Sequence, residues 1–137
     1  MLYFLYVHPI ISCRIIFWGN TPNSIKMFRI QKRVLRVMNK ATKMDSCREL
    51  FKPMKILPLY SQYTFPLLMY VVNNKHLFTR NLGVHNQDSR SVKNFHLPIT
   101  NLNIYQKGAY YTGIKIFNYL PTDIKNAANE IQVLKRP

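Results

Sequence analysis

Apolar and charged positions separate most sharply over residues 24–43, SIKMFRIQKRVLRVMNKATK. At about 100° per residue, Met27, Ile30, Val34, Val37, Met38 and Ala41 share one face of a helix, widened by Phe28 and Leu35. Lys26, Arg29, Arg33, Arg36 and Lys40 fall within roughly 80° of one another on the opposite side. The pattern predicts an amphipathic helix over residues 22–43, packed on a core by one flank and presenting cations with the other. No acid lies between Lys26 and Lys43, so the stripe lacks the opposite charges four residues away that stabilise a merely solvated face. A solvated face and an anion-binding face both fit the spacing, and the missing acids favour the second.

The rest of the chain alternates apolar runs with polar punctuation. Residues 1–16 are mostly apolar, but Arg14 follows the run instead of preceding it, the wrong order for a secretory signal. The run is also shorter than the about 20 residues of a membrane span, so a buried helix or strand is expected. Residues 19–23, GNTPN, form a turn offering Asn20, Thr21 or Asn23 as helix caps, and Trp18 before it is expected in the core. Ser46-x-x-Glu49 fits a capping box opening a short helix from Cys47 to about Lys52, which Pro53 stops.

Residues 56–74 carry no charge, yet Pro58 and Pro66 interrupt them and Ser61, Gln62 and Thr64 are polar. A buried helix over residues 59–72 is expected there in preference to a membrane span. Residues 75–101 form a long polar loop, whose His76, His85 and His96 match no metal-ligand spacing. From 103 to 120, Tyr110, Ile114, Phe117 and Leu120 keep helical spacing, loosened by Gly108 and Gly113. A short helix over 122–126 follows Pro121, and residues 129–137 resemble a further helix cut short. These elements predict an all-α fold in a single segment of 137 residues: an apolar start (1–16), the basic helix (22–43), a helical core (46–74), the loop (75–101) and a helical C-terminal part (103–137).

Charge sharpens this outline. Twenty Lys and Arg against five Asp and Glu give a net charge of +15, and half of the cations lie between Lys26 and Lys55, facing only Asp45 and Glu49. Such a balance favours polyanions, either nucleic acid or anionic lipid. A hydrophobic content of 47% is too high for a disordered chain. Cys13 and Cys47, without a CxxC, support neither a disulfide scaffold nor a zinc ribbon; reduced thiols point to the nucleus or cytoplasm. The sequence has no phosphate-binding Gly loop, HExxH, nucleophile elbow or grouped carboxylates for two-metal chemistry. Catalysis by this chain alone is therefore not expected, and no cofactor or metal is implied.

Six blocks carry a family resemblance: IIFWGN (15–20), FRIQKRVLRVM (28–38), DSCRELFKPMKILPL (45–59), YVVNNKHLF (70–78), HNQDSR (85–90) and YQKGAYYTGIKIFNYLPTDIK (105–125). In this order they span nearly everything from about residue 15 onward. The chain resembles the region C-terminal to the polymerase core in reverse transcriptases of non-LTR retrotransposons, of the jockey-like and related lineages. The resemblance implies a parent RNA-directed DNA polymerase that copies its own RNA into DNA at a nicked target, and that polymerase core as a partner where it is present. The family's paired metal-binding aspartates have no counterpart here, so no polymerase activity carries over to any residue. The first dozen residues depart from the family, and the family's tail runs past the point where Lys135, Arg136 and Pro137 end this chain, which reads as truncation.

The expected function is that of a non-catalytic fragment of such an enzyme, contacting the RNA or DNA backbone through Lys26, Arg29, Lys32, Arg33, Arg36 and Lys40. Two alternatives are a small basic membrane-associated protein, with residues 1–16 and 56–74 as its apolar contacts, and a non-functional remnant of a transposable element.

Overall fold

In the computed structural model, residues 2–81 and 94–134 are described, with side chains up to residue 128. A π-helical turn, Tyr3–Val7, leads into α1 (His8–Ser12), α2 (Ile15–Trp18), α3 (Asn23–Met38), α4 (Cys47–Phe51) and α5 (Leu59–Asn73). A 3₁₀ turn at Lys75–Leu77 precedes α6 (Asn103–Gln106), α7 (Ala109–Tyr119) and α8 (Thr122–Leu134). The fold is all-α, as the hydrophobic spacing predicts; among the described residues the extended pairing is a single antiparallel bridge, Arg80 to Phe95. None of the described helices is long and apolar enough to cross a membrane. The chain packs as two compact units, Met1–Phe65 and Pro66–Pro137, the division falling inside α5 at Pro66.

In the first unit, Tyr3, Leu35, Cys47, Phe51 and Ile56 are buried together, with Val7, Phe28, Val34, Met38, Leu50 and Met54 half-buried against them. Burying the side chain of Leu35, Phe51 or Ile56 contributes about 1.5–3 kcal/mol each. Gly19 closes the α2–α3 turn directly under the Tyr63 ring, where a Cβ would collide with it. Several expectations need correction. The apolar start is helical but mostly uncovered: Tyr3, Ile11 and Ile15 are buried, whereas Leu2, Leu5, Tyr6, Ile10 and Phe17 are exposed. α1 and α2 bury one side chain each, Ile11 and Ile15. Trp18 is half-buried, its indole N–H bonded to Cys13 O at 2.8 Å, and is no deep anchor.

Neither predicted side-chain cap forms. Pro22 stands at the α3 N-cap position, and the Thr21 hydroxyl donates back to Trp18 O instead. Ser46 does occupy the α4 N-cap in extended geometry, but without a side-chain bond.

The second unit is built on Val71, Val72, Phe78, Phe95, Ile114 and Phe117. Phe78 and Phe95 come from the segment expected as a plain polar loop, and their rings lie 5.4 Å apart, with Phe78 stacked on Tyr110 at 4.9 Å. Gly113 is a packing residue: a Cβ there would lie 2.8 Å from Val71 Cγ2, so its absence lets α7 approach α5. Tyr110, expected on the buried face, keeps 42% exposure. α8 runs 13 residues, so the short helix after Pro121 and the later one are a single helix. His85 and the block 85–90 lie outside the described residues, as do residues 135–137.

Asn118 brackets the Phe95 backbone, accepting from its N–H at 3.0 Å and donating to its carbonyl at 2.9 Å. Below it, the buried Lys125 donates to Asn94 Oδ1 at 2.9 Å and to Asn118 O, at the C-terminal end of α7, at 2.7 Å. A cation there complements the helix dipole and satisfies an end carbonyl, but burial pushes its pKa below the ordinary 10.5. The charged form is therefore penalised on folding, and the penalty is relieved as pH climbs through the lowered folded value towards the unfolded one. Relative to Lys125→Met, the native chain should gain stability with rising pH in a window ending near 10.5; urea midpoints of both chains, compared from neutral pH upward, measure it.

Candidate functional site

The basic helix forms, but its buried flank is rotated by roughly a quarter turn from the one the apolar spacing predicts. Ser24, Gln31 and Leu35 are buried, while Ile30 and Val37 keep 49% and 73% exposure. The cause is polar. Gln31 donates through Nε2 to Tyr3 Oη at 2.7 Å and to Leu57 O at 3.0 Å, and its Oε1 accepts from the Leu59 N–H at 2.9 Å. Leu59 opens α5 and is fully buried, so its amide has no water to turn to. Satisfying that donor sets the rotation of α3, and Leu35 follows on the same side one turn later.

α3 also ends earlier than predicted, at Met38 rather than near Lys43. Lys40 adopts the left-handed conformation (φ 52°), its N–H bonds Val37 O at 3.2 Å, and the Ala41 N–H bonds Arg36 O at 2.9 Å. This is a Schellman closure with a lysine where glycine is usual. The chain is thereby folded back, and Ala41 and Lys43 come to lie beside the flank of α3. A groove of about 540 Å³ results, lined by Arg29, Lys32, Arg33, Arg36, Val37, Ala41 and Lys43.

Of the six expected contact residues, the structure brings Arg29, Lys32, Arg33 and Arg36 together in this groove. Lys26 and Lys40 are exposed but do not line it: Lys26 lies towards the start of the helix, and Lys40 has left the helix altogether. Lys43 and Val37 line it and were not among the expected six. The signal that could have found Lys43 was Asn39, a residue type that favours helix ends.

Within the groove the cations are held differently. Lys32 sits over the Phe28 ring, Nζ to centroid 4.8 Å. Half-buried Arg36 donates from Nη2 to Asp45 O at a long 3.4 Å, and its Nε is shielded from solvent with no hydrogen-bond partner. Asp45, whose backbone carbonyl takes the Arg36 bond, accepts from the Thr42 N–H through Oδ2 at 2.7 Å, an arrangement that tightens the returning loop. Five like charges around one concavity repel each other and destabilise the chain unless an anion enters. The exposed guanidinium groups of Arg29 and Arg33 offer the directed, forked donors that phosphate oxygens accept.

Among the described residues no three His, Cys, Asp or Glu gather where an ion could be held. Cys13 is an exposed free thiol and Cys47 a buried one whose Sγ lies 3.7 Å from Lys32 O.

The chain matches no protein-family model, no curated protein and no solved structure.

Proposed function

We propose that this chain is a nucleic-acid-binding, non-catalytic helical segment, descended from the region after the polymerase core of a non-LTR retrotransposon reverse transcriptase. The observation that carries the binding half is the groove itself: Arg29, Lys32, Arg33, Arg36 and Lys43 around one concavity. The six sequence blocks in family order support the ancestry, and an in-frame polymerase palm in the DNA upstream would test it. The groove acts by holding successive phosphates, each contact releasing a condensed counterion.

Titrating the full chain against a labelled oligonucleotide at several salt concentrations tests the binding. Five phosphate contacts on a single strand should give a slope of about −3.5 in log affinity against log salt, or about a hundredfold loss between 50 and 200 mM. A slope near zero, or no binding at 50 mM, removes the polyanion reading. One observation favours a second reading at a lipid surface, the exposed Leu2, Leu5, Tyr6, Ile10 and Phe17. Anionic vesicles in the same titration separate the two: membrane adsorption requires that they bind the chain more tightly than the oligonucleotide does.

A further inference from the structure

We infer that the groove accepts a single strand rather than a duplex, and that Tyr60 is the surface on which one base of that strand stacks. This rests on the polyanion reading above and goes beyond it by naming the form of the ligand.

Two features point this way. The first is the mixed lining. A groove for duplex phosphates needs donors and cations only, because a duplex turns its stacked bases inward and offers a broad convex backbone. This groove places Val37, 73% exposed, and Ala41 among its cations. Apolar surface between phosphate-binding residues suits a ligand that brings base faces along with its phosphates.

The second is a chain of ring contacts leaving the groove. Lys32, in the groove wall, lies over Phe28, and the Phe28 ring is 5.1 Å from that of Tyr60 at an interplanar angle of 59°. The two separations put the Tyr60 ring no further than about 10 Å from the Lys32 ammonium, which about three stacked nucleotides span. Tyr60 is 48% exposed at the start of α5, so its ring is braced by Phe28 and still open to a ligand. The other tyrosines of that stretch do not offer this. Tyr63 is buried at 6% exposure, and Tyr70 is half-buried, its ring edge-on to Phe78 at 6.2 Å. Polarisable base faces stack on such a platform irrespective of sequence, so the groove should discriminate strand form more than base identity.

Fluorescence anisotropy on the full chain, with a 12-nucleotide uridylate single strand and a duplex of equal length at 100 mM salt, tests this (probe length and salt on the order of those usual for a short site). The single strand should bind about fivefold more tightly or better. Tyr60→Leu, which keeps apolar packing on Phe28 but has no π face, should weaken the single strand by about fivefold or more and leave the duplex within about twofold. Tyr60→Trp should restore or exceed native affinity, and unchanged thermal melts verify folding of each variant. Duplex binding as tight as single-strand binding overturns the inference, as does a Tyr60→Leu effect that is equal on both ligands or absent. If both ligands bind equally and Arg33→Gln weakens both, the polyanion reading stands and only the strand assignment falls. If neither binds, both fall.

Discussion

Converting Arg29, Lys32, Arg33, Arg36 and Lys43 together to glutamine should lower affinity for a single-stranded oligonucleotide at 50 mM salt by roughly two to four orders of magnitude and bring the salt slope close to zero. The size follows from counterion release: each lost phosphate contact removes about 0.7 from the slope, and low salt multiplies the difference. The single changes should not be equal. Arg33→Lys keeps the charge but removes an exposed planar fork of donors from the groove, so a several-fold loss is expected where a point charge alone would cost nothing. Lys26→Gln and Lys40→Gln are the informative controls. Both belong to the stripe that the helical spacing defines, and neither lines the groove. Each should change affinity by less than about threefold, the size of a remote, screened charge. Equal losses from Lys26→Gln and Arg33→Gln would mean that the whole helix face is the binding surface and that the groove has no special part in it.

Gln31→Leu should destabilise the first unit by about 2–4 kcal/mol although leucine is the more hydrophobic residue. The variant leaves the buried Leu59 N–H without an acceptor, at about 1–3 kcal/mol, and removes the donor to Tyr3 Oη. Leu57 O loses less, because Gln62 Nε2 also donates to it, at 2.7 Å. Gln31→Glu discriminates further. A carboxylate retains the acceptor for Leu59 but presents a charge to Leu57 O and Tyr3 Oη, so burial raises its folded pKa. Its stability should be greatest at low pH and fall as pH rises through that raised value. Trp18 is the sole tryptophan of the chain, so its fluorescence in urea reports on the first unit. A Gln31→Leu midpoint equal to native would show that hydrophobic contacts alone hold α3 in its rotation.

The candidate site was half legible in the sequence. Arg29, Arg33 and Arg36 could be placed on one flank of a helix because all three fall within its regular part, where 3.6-residue periodicity governs direction. Lys40 and Lys43 could not be placed in this way, because the helix ends at Met38 and periodicity says nothing past a Schellman closure. A similar limit explains Phe78 and Phe95. Each lies in a stretch without regular spacing, and they are core residues through their contacts with α5 and α7, which no local pattern encodes. Ile30 and Val37 show the opposite failure: their apolar character was read as burial, but a helix has room for only one docked flank, and hydrogen bonds to Gln31 took it.

Helix content, the positions of α3, α4 and α5, and the concentration of cations in the first half of the chain were determined by the sequence alone, because these properties depend on residues within one or two turns of one another. The tertiary structure decided which flank of α3 faces inward and where Lys43 returns. The choice of flank depends on a buried amide at Leu59, 28 residues from the side chain that satisfies it, and such a requirement exists only once the two segments are brought together.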